Sequence, residues 1–253
     1  MAIERDRYGR PLVVPPKGGK PVPYTRATTF AGALDDTVGL VNWKLRKAVQ
    51  GLTIQPELLD DIRAAEDDKL LLNKLVEDAM EIAGANKAAD LGTEIHKWAE
   101  KLDEGLPIGD VPSRHKADLL AYAHTTSIWT NKFSEEFCVV DKYKVAGTPD
   151  RIVEYKGELF IADIKTGSID YPNKMSLQLA IYANALRYDP ATAERSSWGD
   201  VNKDKGIIIH LPAGTGICVL HWIDIKAGWK AVQLASKVRQ WRETKRLLTR
   251  YEG

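Results

Sequence analysis

The sequence predicts an α/β or α+β core with helical covers, and three observations carry that prediction. From Leu34 to about Phe133 apolar residues recur at helical spacing. After Phe137 the pattern changes to short segments rich in β-branched and aromatic residues. One helical stretch interrupts those segments, and a basic helix closes the chain.

In order, residues 9–25 (GRPLVVPPKGGKPVPYT) are rich in Pro, Gly and Lys and read as an extended arm. Leu58, Leu59, Ile62, Leu70, Leu71, Leu75, Val76 and Met80 then follow three- and four-residue spacings. Lys87–Leu102 continues the helical theme, and Pro112-Ser113 opens a helix expected to reach Asn131. Strands are expected at Phe137–Val140, Asp150–Tyr155 and Glu158–Ile164, punctuated by Gly147 and Lys156-Gly157. A helix from about Asn173 to Tyr188 follows, then a polar loop (Asp189–Asp204). Two further strands, Gly206–Leu211 and Ile217–Ile223, lead to a helix from about Ala227 to Arg250.

Composition bounds the function classes. The chain has 253 residues, 44% hydrophobic and 28% charged, which excludes wholesale disorder. A chain of this size buries roughly 70–75% of its extended surface and needs no disulfide or structural metal to fold. Two cysteines, Cys138 and Cys218, are too few for a disulfide framework or a four-cysteine metal site. The charged N-terminus and the lack of a long apolar run argue against a signal peptide or membrane span, so a cytoplasmic protein is expected.

The net charge of +1 hides an asymmetry. Residues 57–104 carry fourteen acidic against six basic side chains, and residues 225–253 carry eight basic against two acidic. Such segregation suits a polyanionic ligand on one side; solvated helix faces are the alternative.

Acid-x-Lys triplets occur at Asp67, Glu154, Asp163, Asp224 and Glu243, so the triplet alone carries no meaning. Geometry distinguishes them. If Lys156-Gly157 is a two-residue hairpin turn, Tyr155 pairs with Glu158 and, counting outward, Asp150 pairs with Asp163. Paired residues share a face, and Lys165, two residues beyond Asp163, projects from it too. Two carboxylates so placed repel unless a positive group lies between them. A hard divalent cation, Mg²⁺ or Mn²⁺, is the economical answer. The competing reading is an ordinary salt bridge between Asp150 and Lys165 at a sheet edge. Gln178 and Tyr182 share one face of the next helix, with Lys174 one turn earlier. Upstream, Gly92-Thr93-Glu94-Ile95-His96 offers an imidazole that is either a nitrogen ligand or structural.

Gly92…His96, Gly147-Thr148-Pro149-Asp150, Asp163-Ile164-Lys165 and Gln178-Leu179-Ala180-Ile181-Tyr182, in that order, resemble the PD-(D/E)xK nuclease superfamily. The upstream His and the Gln-x-x-x-Tyr helix look like its RecB-like branch, nearest to phage exonucleases related to CRISPR-associated RecB-like nucleases. The match covers about residues 88–190. The resemblance implies a restriction-endonuclease-like α/β core, a mixed central sheet flanked by helices, with an N-terminal helical region. It implies a basic arm at residues 1–33, a helical region at 34–134 contributing His96, and a nuclease core at 135–253, the last two forming one continuous domain.

Carried over by residue, the resemblance makes His96, Asp150, Asp163 and the Ile164 carbonyl metal ligands. Lys165 orients or deprotonates the attacking water, while Gln178 and Tyr182 hold the site and contact the DNA strand. Glu136 lies either nearby or in solvent. The implied activity is Mg²⁺- or Mn²⁺-dependent DNA hydrolysis, exonucleolytic, in phage-type recombination, replication or repair. The implied partners are DNA and a recombinase or single-strand annealing protein. The alternatives are a noncatalytic nucleic-acid-binding partner on the same scaffold and a structure-specific endonuclease. The iron–sulfur cysteines of some relatives are absent, and no Gly-Lys-Ser/Thr loop signals ATP. Candidate DNA contacts are Arg26 in the arm, Lys174, and Arg242 and Arg246 in the closing helix, with Trp43 and Trp98 as possible stacking residues.

Overall fold

A computed structural model describes residues 3–245 and 247–251. Short strands β1 (Leu12–Val13), β2 (Val22–Pro23) and β3 (Thr25–Arg26) and helix α1 (Ala27–Ala31) open the chain. Helices α2 (Val38–Ile54), α3 (Leu58–Ala65), α4 (Lys69–Ile82), α5 (Lys87–Asp103) and α6 (Ser113–Thr126) follow. Then come β4 (Thr130–Ser134), β5 (Cys138–Val140), β6 (Val145–Gly147), β7 (Arg151–Tyr155), β8 (Glu158–Lys165) and α7 (Pro172–Ala183). Strands β9 (Leu186–Tyr188), β10 (Arg195–Ser196), β11 (Lys205–His210) and β12 (Val219–Asp224) lead to α8 (Ile225–Arg242).

The chain divides into two compact units, Asp36–Ile95 and the remainder, Met1–Asp35 with His96–Gly253. The larger unit holds two mixed five-stranded sheets, ordered β12-β11-β8-β7-β4 and β10-β9-β5-β6-β3. With its flanking helices and the helical region before it, this is the mixed α/β architecture expected of a restriction-endonuclease-like fold. In the first sheet β8 is central, parallel to β11 and antiparallel to β7. Five consecutive buried residues in β8, Phe160–Ile164, reflect cover on both faces. Leu177, Leu179 and Ile181 of α7 and Val232 and Ala235 of α8 pack with Ile152, Ile161, Ile208 and Ile223.

The smaller unit has its own core of Leu58, Ala65, Leu75 and Ala79. A Cβ on Gly51 would lie 1.8 Å from the Ala79 carbonyl oxygen, so only glycine permits that approach of α2 to α4. Asp68 caps α4, accepting from Leu70 N–H at 2.9 Å and Leu71 N–H at 3.1 Å. Among the described residues no helix is long and apolar enough to cross a membrane.

The expected arm is built into the larger unit instead of extending from it. Val13 and Tyr24 are buried against Val139, Ala146 and Tyr188, and β3 pairs in parallel with β6. The Tyr24 hydroxyl donates to Asp141 Oδ1 at 2.7 Å. These two compact units divide at 35/36 and 95/96, so residues 96–134 fall in the unit that holds the sheets. The helix expected to reach Asn131 stops at Thr126, since Thr130–Ser134 pairs with β7. The next expected helix ends at Ala183, and Leu186–Tyr188 joins the second sheet against β5. Helix α8 starts at Ile225 and ends at Arg242; Ala235 is buried whereas Trp241 is 65% exposed, so apolar support is lost before the expected end at Arg250.

The β11–β12 turn is held by a buried carboxylate. Asp118 Oδ2 accepts from Gly214 N–H at 2.7 Å, and Asp118 Oδ1 from Gly216 N–H at 2.7 Å. His115 Nδ1 lies 2.9 Å from Asp118 Oδ2. Burial opposes ionisation of Asp118, but the His115, Gly216 and Gly214 hydrogen bonds outweigh it and hold the carboxyl below its ordinary range. This stabilisation is present above the ordinary carboxylate range and is lost as the pH falls through the depressed value. Asp118→Ala strands two backbone donors, and chemical denaturation is expected to show a loss of about 2–4 kcal/mol. An unchanged midpoint would remove Asp118 as the anchor.

Candidate active site

The site is assembled by the β7–β8 hairpin. Lys156 (φ 52°) and Gly157 (φ 81°) both adopt left-handed backbone, as a two-residue turn between twisted strands requires. The register runs from Tyr155↔Glu158 to Arg151↔Ala162, and its next step brings Asp150 to Asp163 at the open end. Asp150 Oδ2 accepts from Ile164 N–H at 2.7 Å across this pair. The Lys165 ammonium forms an ion pair with Asp163 Oδ2 instead of the alternative bridge to Asp150. His96 Nδ1 lies 3.4 Å from Asp150 Oδ2.

Environment separates the two carboxyls. Asp163 is 4% exposed; burial and the neighbouring Asp150 charge push it up to about 6, against the opposing pull of Lys165. Asp150 is also driven upward by burial, yet the His96 hydrogen bond and charge, with Arg151 and the Ile164 N–H, hold it below its usual range. Burial disfavours the charged form of His96, but the Asp150 hydrogen bond and the charges of Asp150 and Asp163 raise its pKa.

Gln178 and Tyr182 meet as the spacing requires, Gln178 Nε2 standing 3.4 Å from the Tyr182 hydroxyl oxygen. Tyr182 is buried, and burial raises its pKa. Gly147 makes room for it: a Cβ there would lie 2.8 Å from Tyr182 Cε1 and 3.0 Å from its hydroxyl oxygen. Gly147→Ala is therefore expected to displace the ring, costing about 1–3 kcal/mol of stability and about 100-fold in activity. Thermal unfolding and initial rates on the same preparation check it; unaltered rates would show that the ring position does not matter.

The acid beside the site is Glu135, not Glu136. Glu136 Oε2 accepts from Arg187 Nε at 2.5 Å. Glu135, at φ 49°, donates its N–H to the Asp150 carbonyl at 3.1 Å. Glu135 is exposed, yet partial desolvation of its carboxyl and then the charges of Asp150 and Glu100 raise its pKa. The sequence signal was an acid pair before a strand; which member lies beside Asp150 depends on a left-handed residue that a sequence pattern does not show.

The candidate DNA contacts are dispersed. Arg26 is exposed on β3. Lys174 Nζ donates to Asp35 Oδ2 at 2.6 Å. Arg242 Nη2 donates to the Ala33 carbonyl at 3.3 Å, and its neighbour Arg239 Nη2 to Thr25 Oγ1 at 3.0 Å. Part of the basic helix thus binds the N-terminal segment, as cations near open helix-end carbonyls do. Arg246 lies outside the described residues. Trp98 packs beside His115, ring centroids 6.0 Å apart, and Trp43 is half-buried on α2.

Among the described residues no group of three or more His, Cys, Asp or Glu side chains is arranged to hold a metal ion. The donors instead satisfy one another through His96–Asp150 and Lys165–Asp163. Their chemistry nevertheless fits a hard divalent cation: Asp163 Oδ2 is buried against the Lys165 ammonium, and the Asp150 charge beside it raises its pKa. His96 ligates through a neutral ring nitrogen, and its Nδ1 lies 3.4 Å from Asp150 Oδ2.

No curated protein matches the chain. Residues 126–247 match the sequence profile of the PD-(D/E)XK nuclease superfamily. The matched span contains Asp150, Asp163, Lys165, Gln178 and Tyr182, while His96 precedes it. The hairpin that brings two carboxylates and a lysine together thus lies within the segment, 126–247, that is similar to the PD-(D/E)XK nuclease superfamily.

Proposed function

We propose that the protein is a metal-dependent DNA nuclease of the RecB-like kind, acting as an exonuclease in phage-type recombination, replication or repair, in the cytoplasm. The observation that carries the reading is the convergence of Asp150, Asp163 and Lys165 at the open end of one hairpin. Asp150 and Asp163, with His96 and the Ile164 carbonyl, hold Mg²⁺ or Mn²⁺. A bound divalent cation supplies Lewis-acid polarisation of the phosphate and acidifies a water molecule. Lys165, released from Asp163, faces the nonbridging oxygens where charge accumulates and orients the attacking water. Gln178 and Tyr182 keep the strand against this face. The upstream imidazole and the Gln-x-x-x-Tyr helix support the RecB-like assignment, and that resemblance points to a recombinase or single-strand annealing protein as partner.

End-labelled linear DNA and covalently closed circular DNA, each incubated with Mg²⁺ or Mn²⁺, test the reading. Progressive loss of the linear substrate with intact circles is expected. Nicked circles would identify an endonuclease instead. Binding without hydrolysis of either substrate would leave a noncatalytic scaffold.

A further inference from the structure

The sheet face that carries Asp163 and Lys165 continues beyond them. Strand β11 runs parallel to β8 with Ile208 opposite Asp163 and His210 opposite Lys165. Opposed residues share a face and neighbouring strands lie ~4.8 Å apart, so the His210 imidazole is the next side chain past Lys165. Ile208 is buried in the core, whereas His210 is only half-buried. His221 on β12 stands opposite Ile208, hence on the same face, and is exposed. The two imidazole centroids are 6.0 Å apart.

His210 is also rigidly tied to the segment after Lys165. Leu211 N–H donates to the Lys165 carbonyl at 2.9 Å, and Ala213 N–H to the Thr166 carbonyl at 3.2 Å. His210 Nε2 lies 3.1 Å from the Gly167 carbonyl oxygen. A carbonyl only accepts, so Nε2 carries the hydrogen and Nδ1 is the ring atom left for another partner. Among the described residues neither imidazole pairs with a carboxylate. Two imidazoles thus extend the hairpin's charged face without a structural counter-ion.

We infer that His210, with His221 beside it, is a substrate-contacting residue that receives the DNA phosphate next to the one at Asp150, Asp163 and Lys165; this rests on the nuclease reading. Nε2 stays on the Gly167 carbonyl, which leaves the Nδ1 side of the ring to meet a phosphodiester oxygen. His221, its ring tilted 54° to that of His210, adds a second donor at the sheet edge.

The test measures binding of the full chain to a fluorescein-labelled duplex with a single-stranded tail, in Ca²⁺, across a salt series, and the KM and kcat in Mg²⁺. His210→Ala is expected to weaken binding about tenfold and to lower the salt slope by roughly 0.7–0.9. KM should rise accordingly, with a smaller change in kcat and an unchanged Tm. His210→Gln keeps a donor for the Gly167 carbonyl but cannot become a cation, so it should bind as weakly as the alanine variant. Wild-type binding by His210→Gln would show that the ring merely pins the loop, and the inference would be overturned. Unaltered affinity and slope in His210→Ala, with an unsubstituted protein that binds and cleaves, would overturn this inference alone. An unsubstituted protein that neither binds nor cleaves DNA would remove the nuclease reading and this one together.

Discussion

Asp163→Asn is expected to abolish DNA hydrolysis by several orders of magnitude while leaving Tm unchanged or raised. Asp163 is the buried carboxyl that faces the Lys165 ammonium, and burial with the Asp150 charge pushes it up to about 6. The carboxylate that predominates at neutral pH is therefore held at a cost to the fold, and a neutral amide of the same shape relieves the repulsion from Asp150. The chain carries its own control, because Asp224-Ile225-Lys226 repeats the tripeptide Asp163-Ile164-Lys165 at the end of another strand. Asp224 Oδ1 accepts from Ala227 N–H at 2.8 Å as the N-cap of α8. Asp224→Ala should cost about 0.5–2 kcal/mol of stability and leave the rate nearly untouched. Cleavage rates and thermal melts of both variants decide the matter. Equal loss of cleavage at equal folded fraction would place the chemistry elsewhere.

Gly228→Ala should be strongly damaging to the fold. A Cβ at Gly228 would lie 2.3 Å from the Ser176 carbonyl oxygen and 2.6 Å from its carbonyl carbon. Both are backbone atoms of α7, so no side-chain rotation relieves the clash and the two helices must separate. Alanine gains up to about 1 kcal/mol in helix propensity. Overpacking of this kind costs about 1–3 kcal/mol and occasionally more. A net loss of about 3 kcal/mol corresponds to a Tm lowered by roughly 6–12 °C. Because α7 carries Gln178 and Tyr182, activity should fall with it. An unchanged melting temperature would mean that the α7–α8 crossing is loose.

Much of the site was legible because a two-residue turn leaves little freedom. Lys156-Gly157 forces the register, and strand alternation then places Asp150, Asp163 and Lys165 on one face. The helix period likewise brings Gln178 to Tyr182. The decoy at Asp224 could be set aside on the same reasoning, since it has no carboxylate across a tight turn and precedes a helix that needs a cap.

Other features are invisible to local pattern because they depend on contacts between distant segments. The arm read as extended from its Pro, Gly and Lys content, yet Val13 and Tyr24 bury against the second sheet, a surface built by residues more than a hundred positions later. Polar Thr130–Ser134 became a strand only because β7 offered it an edge. Charge alone placed Arg242 on DNA, whereas it donates to the Ala33 carbonyl, 209 residues away in sequence.

By itself, then, the sequence determined what short-range geometry controls: the hairpin, its register, the two facing carboxylates and the Gln178/Tyr182 helix face. Only the tertiary structure decided that the Glu135 backbone is held to Asp150 while Glu136 pairs with Arg187, that Lys165 pairs with Asp163, and that His210 stands next beyond Lys165. The physical reason is that period and turn chemistry act over a few residues. Parallel strand order, burial and the choice of ion-pair partner are settled by the sum of long-range contacts.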